Sequence, residues 1–344
     1  MAKEQTNSLL DINDLVAEIN KELKVNDVQV LGSSKTMEMD RLSSGSLTYD
    51  ICTGGGYPLG RHVSLFGAES SGKTTNAIMA LKKYQDSGDP RYALVLDAEF
   101  AFDKKYAKNL GVDLSKVIIK QPDDVTEAHD LLMALLKRNA IGFGLVDSIA
   151  SLQPKSVLEN EADASNIGKH AQAIGNMFKA SNSYIGKNKV VMIWINQIRD
   201  KIGSFTGGVS EPAGHVPKFY SSIRIQVFRG SKIDNGDGTF TNRGKITVQK
   251  NKTAPPYQSG EYSMNHGTGI DVSTEVLDYG VESSVLYKKG HSYYFDETFE
   301  NNAEENKNHV FLGKSRGDAK KFLDDNLEFR DGLYKVILET YLDR

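Results

Sequence analysis

A chain of 344 residues, one quarter of them charged, is long enough to bury a sizeable core in two domains or one large one. The single cysteine, Cys52, excludes an internal disulfide framework and a cysteine zinc site. No apolar run approaches the ~18 residues of a membrane span, and the first residues, Met1 to Asn7, lack the order of a secretory leader, so a cytoplasmic protein is expected. The formal net charge of −3 does not advertise a polyanion partner, although phosphate contacts follow clustered basic groups and not the total.

In chain order, Leu9, Leu10, Ile12, Leu15, Val16, Ile19 and Leu23 form a helical stripe, with Asp11 and Asp14 near its start. Val28 to Leu31 alternates as a short strand. Such a helix and strand ahead of a main domain must cover their apolar faces, on their own core or on a neighbouring subunit, and the pattern leaves both open. From Arg61 onward strands and helices alternate with short connections, which predicts a layered α/β fold around a largely parallel sheet. His62 to Phe66 reads as a strand, and Ala77, Ile78, Ala80, Leu81 and Tyr84 as the helix after it, stopped by Asp86-Ser-Gly-Asp-Pro90. Tyr92 to Leu96 is a strand ending in Asp97-Ala98-Glu99. Ala128, Leu131, Leu132, Leu135 and Leu136 mark a helix. Phe143 to Val146 ends in Asp147-Ser148, and Val190 to Ile195 in Asn196-Gln197.

The pattern then changes. Ser222 to Phe228 and Lys245 to Gln249 alternate strictly around Asn235-Gly-Asp-Gly238, a hairpin signal, and predict antiparallel strands that finish the sheet. Asn235 to Gly238 is not a calcium loop, because Ile233 would fill the first ligand position. Beyond about Asp271 the composition shifts to a small α+β unit, with a late helix through Phe322, Leu323, Leu333, Val336 and Ile337. Within that unit, Asp296 to Asn308 is acidic and Asn-rich and reads as a solvated loop.

The chemistry concentrates between the first strand and its helix. Gly67-Ala68-Glu69-Ser70-Ser71-Gly72-Lys73-Thr74-Thr75 matches the P-loop pattern in strand–loop–helix context. Glycines at 67 and 72 let the backbone aim amide hydrogens at phosphate oxygens, and the helix start adds its positive end. Lys73 suits the β- and γ-phosphates of ATP, and the Thr74 hydroxyl suits Mg²⁺. Asp147 fits a position that holds Thr74 or a magnesium-bound water. Glu99 is the candidate general base for water, and Asn196-Gln197 offers an amide near a γ-phosphate.

Ser43-Ser-Gly-Ser-Leu-Thr-Tyr-Asp50, Gly60-Arg61, Ala68 to Thr75 and Asp97-Ala-Glu99 occur in order with Asp147-Ser148, Asn196-Gln-Ile-Arg199, Lys218-Phe-Tyr220 and Lys250-Asn-Lys252. Together they closely resemble the bacterial RecA recombinase family, from about Leu9 into the C-terminal region. The resemblance implies a RecA-like P-loop ATPase core with a mostly parallel central sheet. An N-terminal helix–strand oligomerisation arm (1–35) precedes the core (36–271), and a small α+β C-terminal domain (272–344) follows it. It implies a DNA-dependent ATPase that needs ATP and Mg²⁺, assembles as a helical homo-oligomeric filament on single-stranded DNA, and exchanges strands with homologous double-stranded DNA. No membrane is involved.

Position by position, the resemblance makes Glu99 the catalytic glutamate and Gln197 the γ-phosphate sensor, and sets Asp103 and Tyr106 beside the adenine. Lys250 and Lys252 would reach the nucleotide of a neighbouring subunit, stabilising charge as arginine fingers do. DNA contacts would fall in two loops. The first spans Glu159 to Gly168 with Ile167 near the bases. The second begins near Arg199 and runs through Ile202, Gly203, Gly207 and Gly208 toward Lys218. Arg199 and Lys179 would meet phosphates, and Ile202 would wedge between bases.

The sequence departs from the family at Gln172, where a basic residue is expected, at Lys179 in place of arginine, at Ala213-Gly214 in place of paired glycines, and at Pro217. The second loop is one residue shorter, and no long acidic tail follows Leu342. A RecA-like hexameric helicase, or an ATP-switched DNA-binding regulator with little turnover, are the alternative readings. The presence of both Lys73 and Glu99 speaks against the regulator.

Overall fold

In the computed structural model, which describes residues 11–25, 28–33, 39–158, 165–200, 209–234, 240–265, 267–296 and 309–343, the chain divides into two units, residues 1–40 and 41–344. The first holds α1 (Ile12–Leu23), capped by Asp11, whose carboxylate accepts the Asn13 amide hydrogen at 2.8 Å. This helix carries the expected stripe, with Ile12, Leu15 and Leu23 exposed; Leu9 and Leu10 lie outside the described residues. The strand expected over Val28 to Leu31 does not form. Asn20 accepts the Val28 N–H at 3.2 Å and donates to the Val28 carbonyl at 2.9 Å, and Leu31–Ser33 is a 3₁₀ turn. A side chain thus supplies at Val28 the two bonds that a strand would need from a partner.

In the second unit, β1 (Arg41–Leu42) and β2 (Tyr57–Pro58) pair antiparallel on either side of α2 (Leu47–Thr53). There follow β3 (Arg61–Gly67), α3 (Lys73–Asp86), β4 (Tyr92–Asp97), α4 (Lys104–Asn109), β5 (Val117–Lys120), α5 (Val125–Lys137), β6 (Ile141–Asp147), α6 (Lys155–Leu158), α7 (Ser165–Lys187) and β7 (Val191–Gln197). A small antiparallel pair, β8 (Arg199–Asp200) and β9 (Val209–Ser210), precedes α8 (Val216–Tyr220). Then come β10 (Ile223–Asp234), β11 (Phe240–Asn251), β12 (Ser259–Asn265) and β13 (Gly269–Ile270).

Nine of these strands make one sheet in the order β13-β12-β11-β10-β3-β7-β6-β4-β5. The run from β10 to β5 is parallel, and β11, β12 and β13 complete it antiparallel. The expected pairing of the two late alternating segments is therefore present, over longer strands. The parallel strands are apolar on both sides, as burial by helices on both faces requires. In β7, Val191, Ile193 and Ile195 face the cluster beneath α3, whereas Met192 and Trp194 face the cluster beneath α5 and α7. That is the two-residue period of a strand, written into two cores.

The last part of the second unit holds α9 (Val272–Glu282), the antiparallel strands β14 (Leu286–Lys289), β15 (Ser292–Asp296) and β16 (His309–Gly313), then α10 (Arg316–Asp325) and α11 (Leu327–Leu342). The single late helix of the sequence reading is two helices, broken at Asn326. The acidic stretch after Asp296 lies outside the described residues. A third apolar cluster, with Val276, Leu286, Leu312, Leu323 and Ile337, fills this part and takes in Leu47 of α2.

Two buried carboxylates fasten it to the sheet layer. Glu275 of α9 accepts Ser46 Oγ at 2.6 Å, the Leu47 N–H at 2.9 Å and the Thr48 N–H at 3.3 Å, thereby capping α2 from outside its own helix. Asp50 accepts the Ser44 N–H, Ser44 Oγ and, at 2.7 Å, Tyr334 Oη of α11. For the site, the decisive feature is the order β3, β7, β6, β4. It sets Gly67 beside Gln197, and Asp147 beside Asp97, at one end of the sheet.

Candidate functional site

Strand β3 ends at Gly67, where a side chain would collide with the backbone: an added Cβ would lie 2.1 Å from the Val227 carbonyl oxygen. The loop then turns through Ser70 and Gly72, both with positive φ, the latter at 93°. Glycine takes that conformation without strain. It leaves the first N–H groups of α3, beginning at Lys73, pointing out of the helix start with no side-chain cap. An uncapped helix start with its partial positive charge is an anion site.

Lys73 is 5% exposed. Its ammonium donates to the Gly67 carbonyl (3.1 Å), the Ala68 carbonyl (2.6 Å) and Ser71 Oγ (3.3 Å). All three partners are neutral oxygens, and burial lowers the ammonium's pKa. A buried cation satisfied only by neutral acceptors is what a phosphate would complement. Next to it, Thr74 Oγ1 donates to Asp147 Oδ2 at 2.7 Å. Burial, opposed by this bond, pushes Asp147 up to about 6. Among the described residues no three His, Cys, Asp or Glu side chains gather into a metal cage. One hydroxyl backed by one carboxylate is instead a donor set suited to Mg²⁺ that arrives with phosphates.

Glu99 sits in the turn after β4. Its backbone N–H and that of Ala98 donate to the Asp147 carbonyl, at 3.3 and 2.8 Å. Asp97 braces the same turn, accepting the Ala101 and Phe102 N–H groups (3.0 and 3.1 Å) and Gln121 Nε2 (2.9 Å). The Glu99 carboxylate accepts Ser148 Oγ and, at 2.8 Å, Gln197 Nε2, both on Oε1. Among the described residues Oε2 takes no bond, which leaves it for another donor. Three residues singled out in the sequence, Glu99, Asp147 and Gln197, thus join Lys73 and Thr74 at adjacent strand ends. Asp97, Ser148 and Gln121 were not predicted as supports; the signals available were the polar strand ends Asp97-Ala98-Glu99 and Asp147-Ser148, and none marked Gln121.

Thr75 Oγ1 lies 3.0 Å from Tyr106 Oη, which brings Tyr106 to the same loop. Asp103 caps α4, its carboxylate accepting the Lys105 and Tyr106 N–H groups at 2.8 and 3.0 Å. Lys250, at the end of β11, donates to the Lys218 and Phe219 carbonyls, and Lys252 is exposed; no described bond joins either to the P-loop within one chain. Lys179 is exposed on α7. Ile202, Gly203, Gly207 and Gly208 lie outside the described residues, as do the side chains of Ile167 and Arg199.

A wide cavity lies elsewhere, between the end of α3 and helices α10 and α11. Of its lysines, Lys82 pairs with Asp86 and Lys320 with Asp324.

A second feature escaped the sequence reading. Arg224 of β10 and Glu211, at the far end of the second loop region, form a buried ion pair, with Arg224 Nη2 2.9 and 2.8 Å from the two carboxylate oxygens. No signal in the sequence marked it, because Arg224 stands at one of the polar positions that alternate with Ile223, Ile225 and Val227.

Comparison with known proteins fits this geometry. Residues 10–271 match the RecA N-terminal domain. The chain is 34% identical over 332 residues to the protein named Protein RecA in Listeria monocytogenes serotype 4a (strain HCC23), covering 96% of this chain and 91% of that one. The same identity and coverage hold for Protein RecA of Listeria innocua serovar 6a and of Listeria ivanovii.

Proposed function

The chain belongs to the RecA family and is a recombinase and DNA-dependent, nucleotide-binding ATPase; on that premise we propose that its nucleotide is ATP with Mg²⁺, held at Gly67 to Thr75. The observation that carries this reading is the meeting of Lys73, Thr74–Asp147 and Gln197–Glu99 at neighbouring strand ends. When bound, Mg²⁺·ATP supplies the phosphoryl group and the metal charge that neutralises it. Residues 67–75 cradle the phosphates through the Lys73 ammonium and the N–H groups of the α3 start. Asp147 fixes the Thr74 hydroxyl toward the metal.

Glu99 orients a water molecule and takes its proton on Oε2, the oxygen not engaged by Ser148 and Gln197. Gln197 lies one hydrogen bond from that base and in register with Gly67, which suits a residue that answers to the γ-phosphate. Tyr106 and Asp103 flank the adenine. Lys250 and Lys252 act on the nucleotide of an adjacent subunit, which agrees with their separation from the P-loop within one chain.

DNA contacts are assigned to Ile167 and Lys179 of the first loop region and its helix, and to Arg199, Ile202, Gly203, Gly207 and Gly208 of the second. Residues 1–35 form the oligomerisation arm, 36–271 the ATPase core and 272–344 the C-terminal domain. Single-stranded DNA and homologous duplex are the partners, and no described helix is long and apolar enough to cross a membrane. Electron microscopy of the protein with single-stranded DNA, Mg²⁺ and a slowly hydrolysed ATP analogue tests the reading. Helical filaments are expected; closed rings that unwind duplex without exchanging strands would favour the helicase instead.

A further inference from the structure

The Glu211–Arg224 pair has no role in the scheme above, yet it lies between the ends of β3 and β7 and helix α8. Arg224 is 5% exposed and its guanidinium carbon lies 4.3 Å from the centre of the Phe66 ring, one residue before Gly67. The Glu211 carboxylate also accepts Asn196 Nδ2 at 3.2 Å, and the same nitrogen donates to the Pro212 carbonyl at 3.1 Å. Asn196 immediately precedes Gln197 and pairs in register with Phe66. On its other side, Glu211 lies 4.0 Å from the Lys218 ammonium, and the Lys218 carbonyl receives the Lys250 ammonium. A continuous set of contacts therefore runs from Gln197 and Gly67, through Glu211, to α8 and Lys250.

This network is not built as a plain anchor. A buried ion pair contributes little net stability over apolar packing of the same shape, because both charges must be desolvated. It is also incompletely satisfied: among the described residues, Asn196 Oδ1 and Arg224 Nε are buried without a partner. The comparable carboxylate in the C-terminal part, Glu275, leaves neither of its oxygens unused. Unpaired buried donors and acceptors beside an ion pair permit a second arrangement of the same groups, and a two-state element is what coupling between sites requires.

We propose that Glu211 is a positioning residue that transmits the state of Gln197 to α8 and Lys250, and so sets how strongly DNA accelerates ATP hydrolysis. The inference rests on the ATPase reading above and extends it to a residue at the end of the second loop region to which that reading gives no contact with nucleotide. Its carboxylate is the group through which Asn196 of β7 and Arg224 of β10 meet the end of the second loop region.

The test compares wild type, Glu211→Gln, and Glu211→Gln/Arg224→Gln, the last leaving no unpaired buried charge. For each, nucleotide affinity without DNA is measured, together with phosphate release with and without single-stranded DNA over a range of DNA concentrations. Both variants are expected to keep nucleotide affinity and the DNA-independent rate within about twofold, while the DNA-stimulated rate falls about tenfold or half-saturation moves to about tenfold more DNA. A parallel fall of basal and stimulated rates, or full stimulation in the double variant, would overturn the proposal. Absence of DNA stimulation in the wild type would instead remove the ATPase reading, and the proposal with it.

Discussion

Two groups of carboxylates in this molecule are treated differently. At the junction with the C-terminal helices, Asp50 and Glu275 collect three hydrogen bonds each, shared over both of their oxygens. At the ends of β4, β6 and β7, among the described residues, Glu99 takes both of its hydrogen bonds on one oxygen, Asp147 accepts a single hydroxyl, and the nearby Lys73 ammonium donates only to neutral oxygens. Saturated polar groups hold structure; unsaturated ones retain valence for a ligand. The contrast separates stability from activity, and substitutions in the two regions are expected to divide along that line.

The largest effect belongs to Lys73→Ala. Isothermal titration with an ATP analogue is expected to show at least about a hundredfold loss of affinity, the scale of a lost charge-assisted phosphate contact in a buried site. The melting temperature is expected to stay level or rise, because the substitution removes a buried ammonium whose desolvation outweighs the pull of the nearby carboxylates. A destabilised protein that still binds nucleotide would break the distinction from the other side.

Tyr334→Phe is the converse. It removes the donor to Asp50 Oδ2 and leaves a buried carboxylate oxygen unanswered, at a cost of about 2 kcal/mol in denaturant unfolding. DNA-stimulated turnover of the folded variant is expected to remain within about twofold of wild type. A loss of turnover exceeding the loss of folded protein would show that the junction participates in the chemistry.

A smaller effect separates the two ways of holding α2. Burial pushes Glu275 up to about 7, against the pull of Ser46, Leu47 and Thr48. A carboxyl whose folded pKa is raised contributes stability below its unfolded pKa that is lost as pH rises through the folded value. Thermal stability is therefore expected to decline between about pH 5 and pH 8. Glu275→Gln flattens that decline, while lowering stability throughout because an amide nitrogen cannot accept the Leu47 N–H. An unchanged slope in the variant would assign the pH dependence to another group, of which Asp147, at about 6, is the next to test.

Much of this was legible in the sequence, and the reason is locality. The P-loop is nine consecutive residues in a fixed strand–loop–helix setting, and Asp97, Asp147 and Gln197 each end an apolar run. A parallel sheet brings such ends to one edge, so four short patterns predicted one site. What was missed depends on separation. Ser46 and Glu275 are 229 residues apart, and Asn196 meets Glu211 across the second loop region; no window along the chain joins them. Val28 to Leu31 failed for the opposite reason. Its alternation fits a strand, but strand formation needs a partner that a local pattern cannot supply, and the Asn20 amide took that place at Val28.

The central claim is that Glu99 acts on water while the P-loop holds the nucleotide. Phosphate release from wild type and Glu99→Gln, with and without single-stranded DNA, tests it most directly when nucleotide affinity is measured on the same samples. Wild-type turnover is expected to rise with DNA; Glu99→Gln is expected to bind nucleotide within about threefold of wild type and to lose at least about a hundredfold of the stimulated rate. Turnover retained in Glu99→Gln, or nucleotide binding lost as completely as in Lys73→Ala, would contradict it.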